Sequence, residues 1–366
     1  MRSDICVIGG GPAGLAAALA LTRSGHEVAV LDCAIPPIDK ACGEGLAPDS
    51  LEALANLGVQ LPDAGMALRG VRFLNSKSEV SADFPNGTGR GLRRVLLHQH
   101  LVAQAEALEI PMLWGVKNVN TRRGHVWFNG GHIRAKLIVG ADGQKSSVRE
   151  DAGLTQVVSE KRRYGFRRHY GVAPWSPYVE VHWGHRFQIY VTPVAPDQVC
   201  IALISRDAHL RLDAALNMMP ALTARLKNAQ AITPEKGSLT LSRKFRHVRA
   251  DGYVLLGDAS GSVDAITGEG MCLAFKQAAA LAAALDAGDL QLYERSHRRI
   301  GATPMRMAGL LLMLDSNRTL QSKILTALGA HPQIFSALLA THVGHKPLSD
   351  VVSWQLLSFG LGVLCG

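Results

Sequence analysis

Three glycines and an acid near the start of the chain have the types and spacing to hold a phosphorylated nucleotide. The run Asp4-Ile5-Cys6-Val7-Ile8 ends in Gly9-x-Gly11-x-x-Gly14, and an Ala/Leu-rich helical pattern follows at once. A second apolar run, Glu27-Val28-Ala29-Val30-Leu31, closes on Asp32. Strand, glycine turn, helix, strand and acid in this order form a dinucleotide-binding crossover. Gly9 permits the tight turn, Gly11 lets backbone approach a pyrophosphate, and Gly14 lets the helix lie close on the strand. The helix N-terminus adds unpaired N–H groups and partial positive charge. Asp32 can accept hydrogen bonds from a ribose.

Two further apolar runs end in acid–glycine pairs. One closes on Gly140-Ala141-Asp142-Gly143 and continues to Arg149; the other closes on Gly257-Asp258-Ala259. After the second, Gly268-Glu269-Gly270 opens an Ala-rich helix predicted over 271–284. Both read as strand ends that hand over to a helix beside a nucleotide. A proline-marked loop over 33–40 leads into Cys42-Gly43-Glu44-Gly45-Leu46, where two glycines around an acid suggest backbone held close to another surface.

The elements that must position these residues follow from periodicity. A helix over 50–58 ends on Gly58, and alternation predicts strands over 70–74 and 79–84. Arg93-Arg94 opens a helix whose Leu97, Leu101 and Ala105 form one core-facing stripe. Strands are expected over 113–118, 125–129 and 133–139. From 163 to 206 the period is 2, giving four antiparallel strands over 164–173, 179–183, 187–194 and 199–205. A helix over 210–228 and a strand over 238–241 complete a second lobe. From 301 onward the pattern is helical and apolar, greasiest at 310–314 and 356–364. Neither stretch reaches the ~18–20 apolar residues of a spanning helix. Packing on the second lobe is expected ahead of lying on a membrane surface.

At 366 residues the chain has room for two units or one interleaved one, and 47% hydrophobic residues allow a sizeable core. Nothing at the N-terminus resembles a signal peptide, since a strand is expected from Asp4. The six cysteines show no CxxC spacing, so neither a metal site nor a disulfide framework is expected, and a reducing cytoplasm suits them. The net charge of +9 gathers at Arg93-Arg94, Lys161-Arg162-Arg163 and Arg167-Arg168. With 5% aromatics and no recognition motif, nucleic acid is not the expected partner. Phosphorylated cofactors fit this charge, as does peripheral contact with an anionic membrane. A solvated basic surface without a specific partner fits it equally.

The three glycine–acid signals in this order resemble the flavoprotein monooxygenase superfamily typified by para-hydroxybenzoate hydroxylase. The most similar branch holds the geranylgeranyl reductases, flavin halogenases and related hydroxylases. The resemblance implies an α/β fold, with a Rossmann-type FAD-binding domain (1–44, 92–160 and 245–300) interleaved with an antiparallel-sheet substrate lobe (45–91 and 161–244). A helical apolar C-terminal region over 301–366 follows. It implies FAD against Gly9, Gly11, Pro12, Ala13 and Gly14, with Asp32 on the ribose and Cys33, Lys40 and Val116 nearby. By the same resemblance Arg94 reaches the phosphates, Asp142-Gly143 touches FAD, and Gly257-Asp258 meets the ribityl chain or pyrophosphate. Gly268, Gly270 and Met271 would aim helix N–H groups at the flavin pyrimidine, stabilising the reduced anion.

Departures narrow the branch. Ala265 stands where relatives carry proline, and the Trp-x-Trp-x-Ile-Pro signature of halogenases is absent. Residues 188–194 differ from the aromatic-rich segment of geranylgeranyl reductases, whereas Cys42-Gly43-Glu44-Gly45-Leu46 resembles a segment of both reductases and bacterial hydroxylases. The resemblance therefore implies an FAD-dependent monooxygenase that hydroxylates an electron-rich aromatic or apolar substrate through a flavin C4a-hydroperoxide. NAD(P)H is the transient reductant and O2 the co-substrate. No second nucleotide fingerprint occurs, so the nicotinamide would bind transiently or an outside reductant would serve. A group that removes a phenolic proton is expected on the inserted sheet, with His169 and Tyr190 as candidates and His182 behind them. Cys42 is a candidate beside the flavin ring. The alternatives are a reductase saturating isoprenoid double bonds and a flavoprotein that modifies a side chain of a partner protein. A plain NAD-binding dehydrogenase would instead purify colourless.

Overall fold

The computed structural model describes residues 1–347. Its first sheet is centred on the strand Arg2–Ile8, which lies between Val28–Asp32 and Gly131–Gly140. Met112–Trp114 continues one side and Tyr253–Leu255 the other, and all four pairings are parallel. Strands covered on both faces read as continuous apolar runs; Cys6, Val7, Ala29, Val30, Ile138 and Val139 are fully buried. The helix Pro12–Arg23 packs against both Arg94–Ala107 and Gly270–Asp286. Leu15, Leu19, Leu97, Leu101, Phe275 and Leu281 join the strands in one core.

Arg2–Ile8 connects to Val28–Asp32 on one side, and the chain returns later to place Gly131–Gly140 on the other. A crevice opens beyond the carboxyl ends of strands at such a switch point. Asp32 ends one of these strands, and Gly9, Val116, Asp142 and Asp258 follow the ends of the others.

The second sheet runs Gly261–Ser262, Lys236–Phe245, Val157–Gly171, Gln198–Ser205, Phe187–Ala195, Tyr178–Trp183, Gly70–Leu74, Glu79–Asp83. It is antiparallel except where Tyr178–Trp183 meets Gly70–Leu74. A small third sheet joins Gly45–Leu46, Gly89–Gly91 and Met66–Leu68.

Four local expectations are corrected. The strand expected over 164–173 is Val157–Gly171, because its basic residues alternate along a paired ladder with Lys236–Phe245. Arg163 and Arg167 therefore point inward, each 2% exposed, and the basic run is not one continuous surface. The helix expected over 210–228 is two, Leu212–Asn217 and Pro220–Leu226, since Pro220 starts a new helix where it cannot continue one. The strand expected over 113–118 ends at Trp114, followed by left-handed backbone at Gly115 and Asn118. The C-terminal helical region begins at Leu290, not 301, as the single helix Leu290–Ser316 with Pro304 inside.

That helix, with Arg318–Ala330 and Pro332–His342, packs on the second sheet as expected. Leu314, Leu325, Leu328, Phe335 and Leu339 share a core with Val80, Phe84, Val181 and Trp183. The Phe73 ring lies 5.5 Å from Trp183 and 4.9 Å from Phe335. Among the described residues no single helix is long and apolar enough to cross a membrane. The apolar stretch 356–364 lies outside the described residues, as does Cys365.

Candidate functional site

The glycine loop has the geometry that its spacing demands. Gly9 has a φ of +111°, and a β-carbon there would meet the Ala141 carbonyl oxygen at 2.3 Å. At Gly14 a β-carbon would lie 1.7 Å from the Gly9 oxygen, whereas at Gly11 it would meet nothing within 4 Å. Gly14 thus serves the packing and Gly11 the open face. The helix Pro12–Arg23 starts from Gly11 with no side-chain cap and no acid in its first turn. Its free N–H groups point toward the crevice, a site for anionic phosphate.

Asp32 braces this loop from the next strand. Its carboxylate accepts from the Gly10 N–H at 2.6 Å and from the Ala34 N–H at 2.7 Å. His98, which sequence reading passed over as one more position on its helix, holds the loop from beneath. One ring nitrogen lies 2.8 Å from the Gly10 oxygen, and the other accepts from the Ile38 N–H at 3.3 Å. Burial pushes this imidazole's pKa down, so the ring is neutral, and these partners assign the proton to Nε2.

The remaining candidates converge on the same crevice. Lys40 pairs with Asp258 at 3.1 Å. Asp142 accepts from the Val148 N–H at 3.2 Å with one oxygen, while its other oxygen is buried without a partner. Arg94 begins its helix with a buried Nε that likewise has none among the described residues. A β-carbon at Gly143, Gly268 or Gly270 would meet open space. Pro12, Ala13, Cys33, Val116, Gly257 and Met271 also line the cavity, and Gly14 alone of the expected contacts lies behind the loop. Unpartnered Arg94 and Asp142 atoms around uncapped helix ends fit an extended dinucleotide, which offers both phosphates and hydroxyls. Arg149 belongs to the frame instead: its guanidinium donates to the Ala259 and Gln144 carbonyls at 3.0 Å and lies over the Phe245 ring.

The cavity holds about 1290 Å³ and continues past the cradle between the second sheet and the C-terminal helices. Its far part is walled by Val181, Leu203, Leu311, Leu314, Leu328 and Phe335.

The three residues proposed for chemistry separate here. Cys42 lines the cavity, with its sulfur 3.3 Å from the Glu44 N–H. Tyr190 also lines it, but its hydroxyl donates to the Ile266 carbonyl at 2.7 Å, and burial raises its pKa. It is a poor base in that state. His169 is fully buried and does not line the cavity. Its Nε2 lies 2.6 Å from Glu44 and its Nδ1 3.1 Å from both Thr233 and Arg167. His182 pairs with Glu180 at 3.1 Å, also away from the cavity.

Glu44 is the residue that sequence reading undervalued. It takes a φ of +60° at 1% exposure, and its carboxylate accepts from the Arg94 N–H at 3.1 Å as well as meeting His169. One side chain thereby ties the Cys42 loop, the Arg94 helix start and the second sheet. Ligand atoms of Glu44, His169 and Cys200 lie within 4.8 Å of one another. The carboxylate and imidazole there already satisfy each other.

A family model described as an FAD binding domain matches residues 2–110 and 117–236. The chain is 27% identical to a menaquinone reductase of Mycobacterium tuberculosis, over 79% of this chain and 78% of that protein. It is 25% identical to the ubiquinone hydroxylase UbiM of Neisseria meningitidis, over 97% of this chain and 85% of that one. In fold it is similar to a flavoprotein/dehydrogenase from Cytophaga hutchinsonii, with a TM-score of 0.77, 19% identity and 92% of each chain covered.

Proposed function

The chain belongs to the FAD binding domain family, within the flavoprotein monooxygenase superfamily, and as an FAD-dependent oxidoreductase of that kind we propose that it hydroxylates a phenol or quinol bearing a long hydrocarbon tail. The observation that carries this reading is the single cavity that runs from the nucleotide cradle into an apolar chamber under the C-terminal helices. Relatives whose names specify menaquinone and ubiquinone support a ring with such a tail.

Bound FAD supplies two-electron redox chemistry and, once reduced by NAD(P)H, activates O2. The chain's own residues do the rest. Gly11 and the uncapped end of Pro12–Arg23 hold the phosphates, with Arg94 and the Lys40–Asp258 pair alongside. Asp32 serves by keeping the loop in shape. Leu311, Leu314, Leu328 and Phe335 exclude water and draw the tail inward, which fixes the ring at the cradle end.

Replacing Asp32 with alanine removes a carboxylate that accepts two backbone hydrogen bonds. A hydrogen bond to a charged group contributes ~1.5–3 kcal/mol, so FAD affinity is expected to fall at least about tenfold. Fluorescence quenching of FAD on titration with apoprotein measures it; unchanged affinity refutes the brace.

Tail recognition has its own test. With NAD(P)H and O2, phenols of increasing tail length are compared by kcat/KM. Four buried methylenes should gain about 3 kcal/mol, on the order of a hundredfold. Equal rates for tail-free and long-tailed phenols would sink the substrate class. A second reading, saturation of a double bond in the tail, is favoured by similarity to a protein named as a menaquinone reductase. Complete conversion by the reduced enzyme without O2 would establish it in place of hydroxylation.

A further inference from the structure

One wall of the cavity carries titratable groups that cofactor binding leaves unused. Glu269 stands between Gly268 and Gly270 at the head of the helix Gly270–Asp286 and lines the cavity. It is 9% exposed, and its Oε2 has no hydrogen-bond partner among the described residues. The closest ring nitrogen is His342 Nδ1 at 3.6 Å, beyond hydrogen-bond reach in this state. His342 comes from the helix Pro332–His342 and lines the same wall.

The groups facing Glu269 are Asp49 from the helix Pro48–Asn56, Lys276 from its own helix, the Thr267 hydroxyl and His342. Asp49 is already engaged, accepting from Lys276 at 2.6 Å and from Cys272 at 3.0 Å. Burial and then the Asp49 charge push the Glu269 carboxyl up to about 8, against smaller opposing pulls from Lys276 and Thr267. Burial pushes the His342 imidazole down. Near neutral pH the pair is therefore a carboxylic acid beside a neutral imidazole, not an ion pair. A buried acid with an unused O–H at a cavity wall is a stored proton.

We propose that Glu269 donates a proton into the cavity during turnover and that His342 returns one to it. The inference rests on the FAD-dependent oxidoreductase reading, in which reduced FAD, itself reduced by NAD(P)H, supplies the electrons. Hydroxylation consumes O2, two electrons and two protons to give one C–OH and one water. Without an organic substrate, the same electrons and protons convert O2 to hydrogen peroxide. In either case the Glu269 O–H bond breaks, its electron pair stays on the carboxylate, and the proton goes to an oxygen atom derived from O2. His342 then takes a proton from solvent at Nε2 as it releases the one at Nδ1 to the carboxylate, so the ring ends neutral.

The test uses the whole chain, wild type against E269Q and H342Q, after FAD content has been confirmed. The first readout needs no cofactor chemistry: infrared spectra of the protein across the pH range. A protonated-carboxyl stretch that disappears with a midpoint near 8 is expected in the wild type, absent in E269Q and displaced in H342Q. Stability gives the matching sign. The folded-state value lies above the unfolded one, so wild-type stability present at low pH is lost as pH rises toward 8, and E269Q lacks that slope.

The second readout is oxidation of the reduced holoenzyme by O2 with no organic substrate. The wild-type rate should fall above the same midpoint, with E269Q slower at neutral pH by on the order of a hundredfold and without that limb. H342Q should move the limb, which a merely structural histidine would not do. Absence of the carboxyl band at neutral pH overturns the proposal. So does a band accompanied by identical wild-type and E269Q rate profiles. Failure of every tailed phenol to react counts only against the substrate assignment, because neither readout needs one.

Discussion

Gly14→Ala is expected to give a protein that purifies without FAD and unfolds at markedly lower denaturant concentration. The β-carbon would lie 1.7 Å from the Gly9 carbonyl oxygen and 3.2 Å from the Val7 side chain. The obstacle is backbone, so no rotamer change relieves it. Either the helix Pro12–Arg23 lifts from the sheet or the loop deforms, and overpacking of this kind costs about 3 kcal/mol. Both responses move the uncapped helix end away from the phosphates. Gly11→Ala makes the instructive contrast, because its β-carbon meets nothing within 4 Å of protein. That variant should keep wild-type stability as apoprotein and lose FAD affinity, since the methyl occupies the open face. Urea unfolding and flavin absorbance separate the two. If Gly11→Ala binds FAD normally, the open face is not the phosphate site.

The second large effect is expected at Asp315, whose side chain is fully buried near the end of Leu290–Ser316. Its carboxylate accepts from Gln188 at 2.5 Å and from Arg206 at 2.6 Å, and lies 3.6 Å from Arg163. Arg163 is 2% exposed and meets Asp264 at 3.4 Å on its other side. Alanine at 315 leaves that guanidinium with one distant carboxylate, and removing one partner of a buried pair costs about 3–5 kcal/mol. The same change at the Arg123–Asp251 pair, whose side chains are 72% and 71% exposed, should cost under about 1 kcal/mol. Equal losses at the two sites would refute the keystone role of Asp315. Because Leu311 and Leu314 share its helix, Asp315→Ala should also weaken discrimination between long-tailed and tail-free substrates.

The cofactor side of the molecule was largely legible in the sequence. Its requirements are local: a glycine where backbone must touch backbone, an acid at a strand end, an apolar run long enough for one buried strand. The same logic failed for charge. Lys161-Arg162-Arg163 reads as a basic cluster, yet alternation along the ladder sends Arg163 inward to Asp264 and Asp315, which lie far along the chain. No local pattern announces that pairing. Glu44 and His169 show the same limit, since their partnership depends on how the two sheets meet. His169 and Tyr190 were rightly placed on the inserted sheet, but strand position does not reveal which of them faces the cavity. Glu269 was visible only as the residue between two glycines. Its raised pKa comes from burial and from the Asp49 carboxylate on the helix Pro48–Asn56, which is distant in sequence.

The parallel sheet also constrains the order in which the protein can be made. The first neighbour of Arg2–Ile8, Val28–Asp32, follows it closely in the chain. Its other edge belongs to Gly131–Gly140, and that strand in turn waits for Tyr253–Leu255. At ordinary translation speeds the first edge stays open for on the order of ten seconds, with apolar strand and unpaired backbone exposed. The nascent chain thus carries an adhesive seam through much of its synthesis, and whatever shields that seam on the ribosome becomes part of how this enzyme is produced.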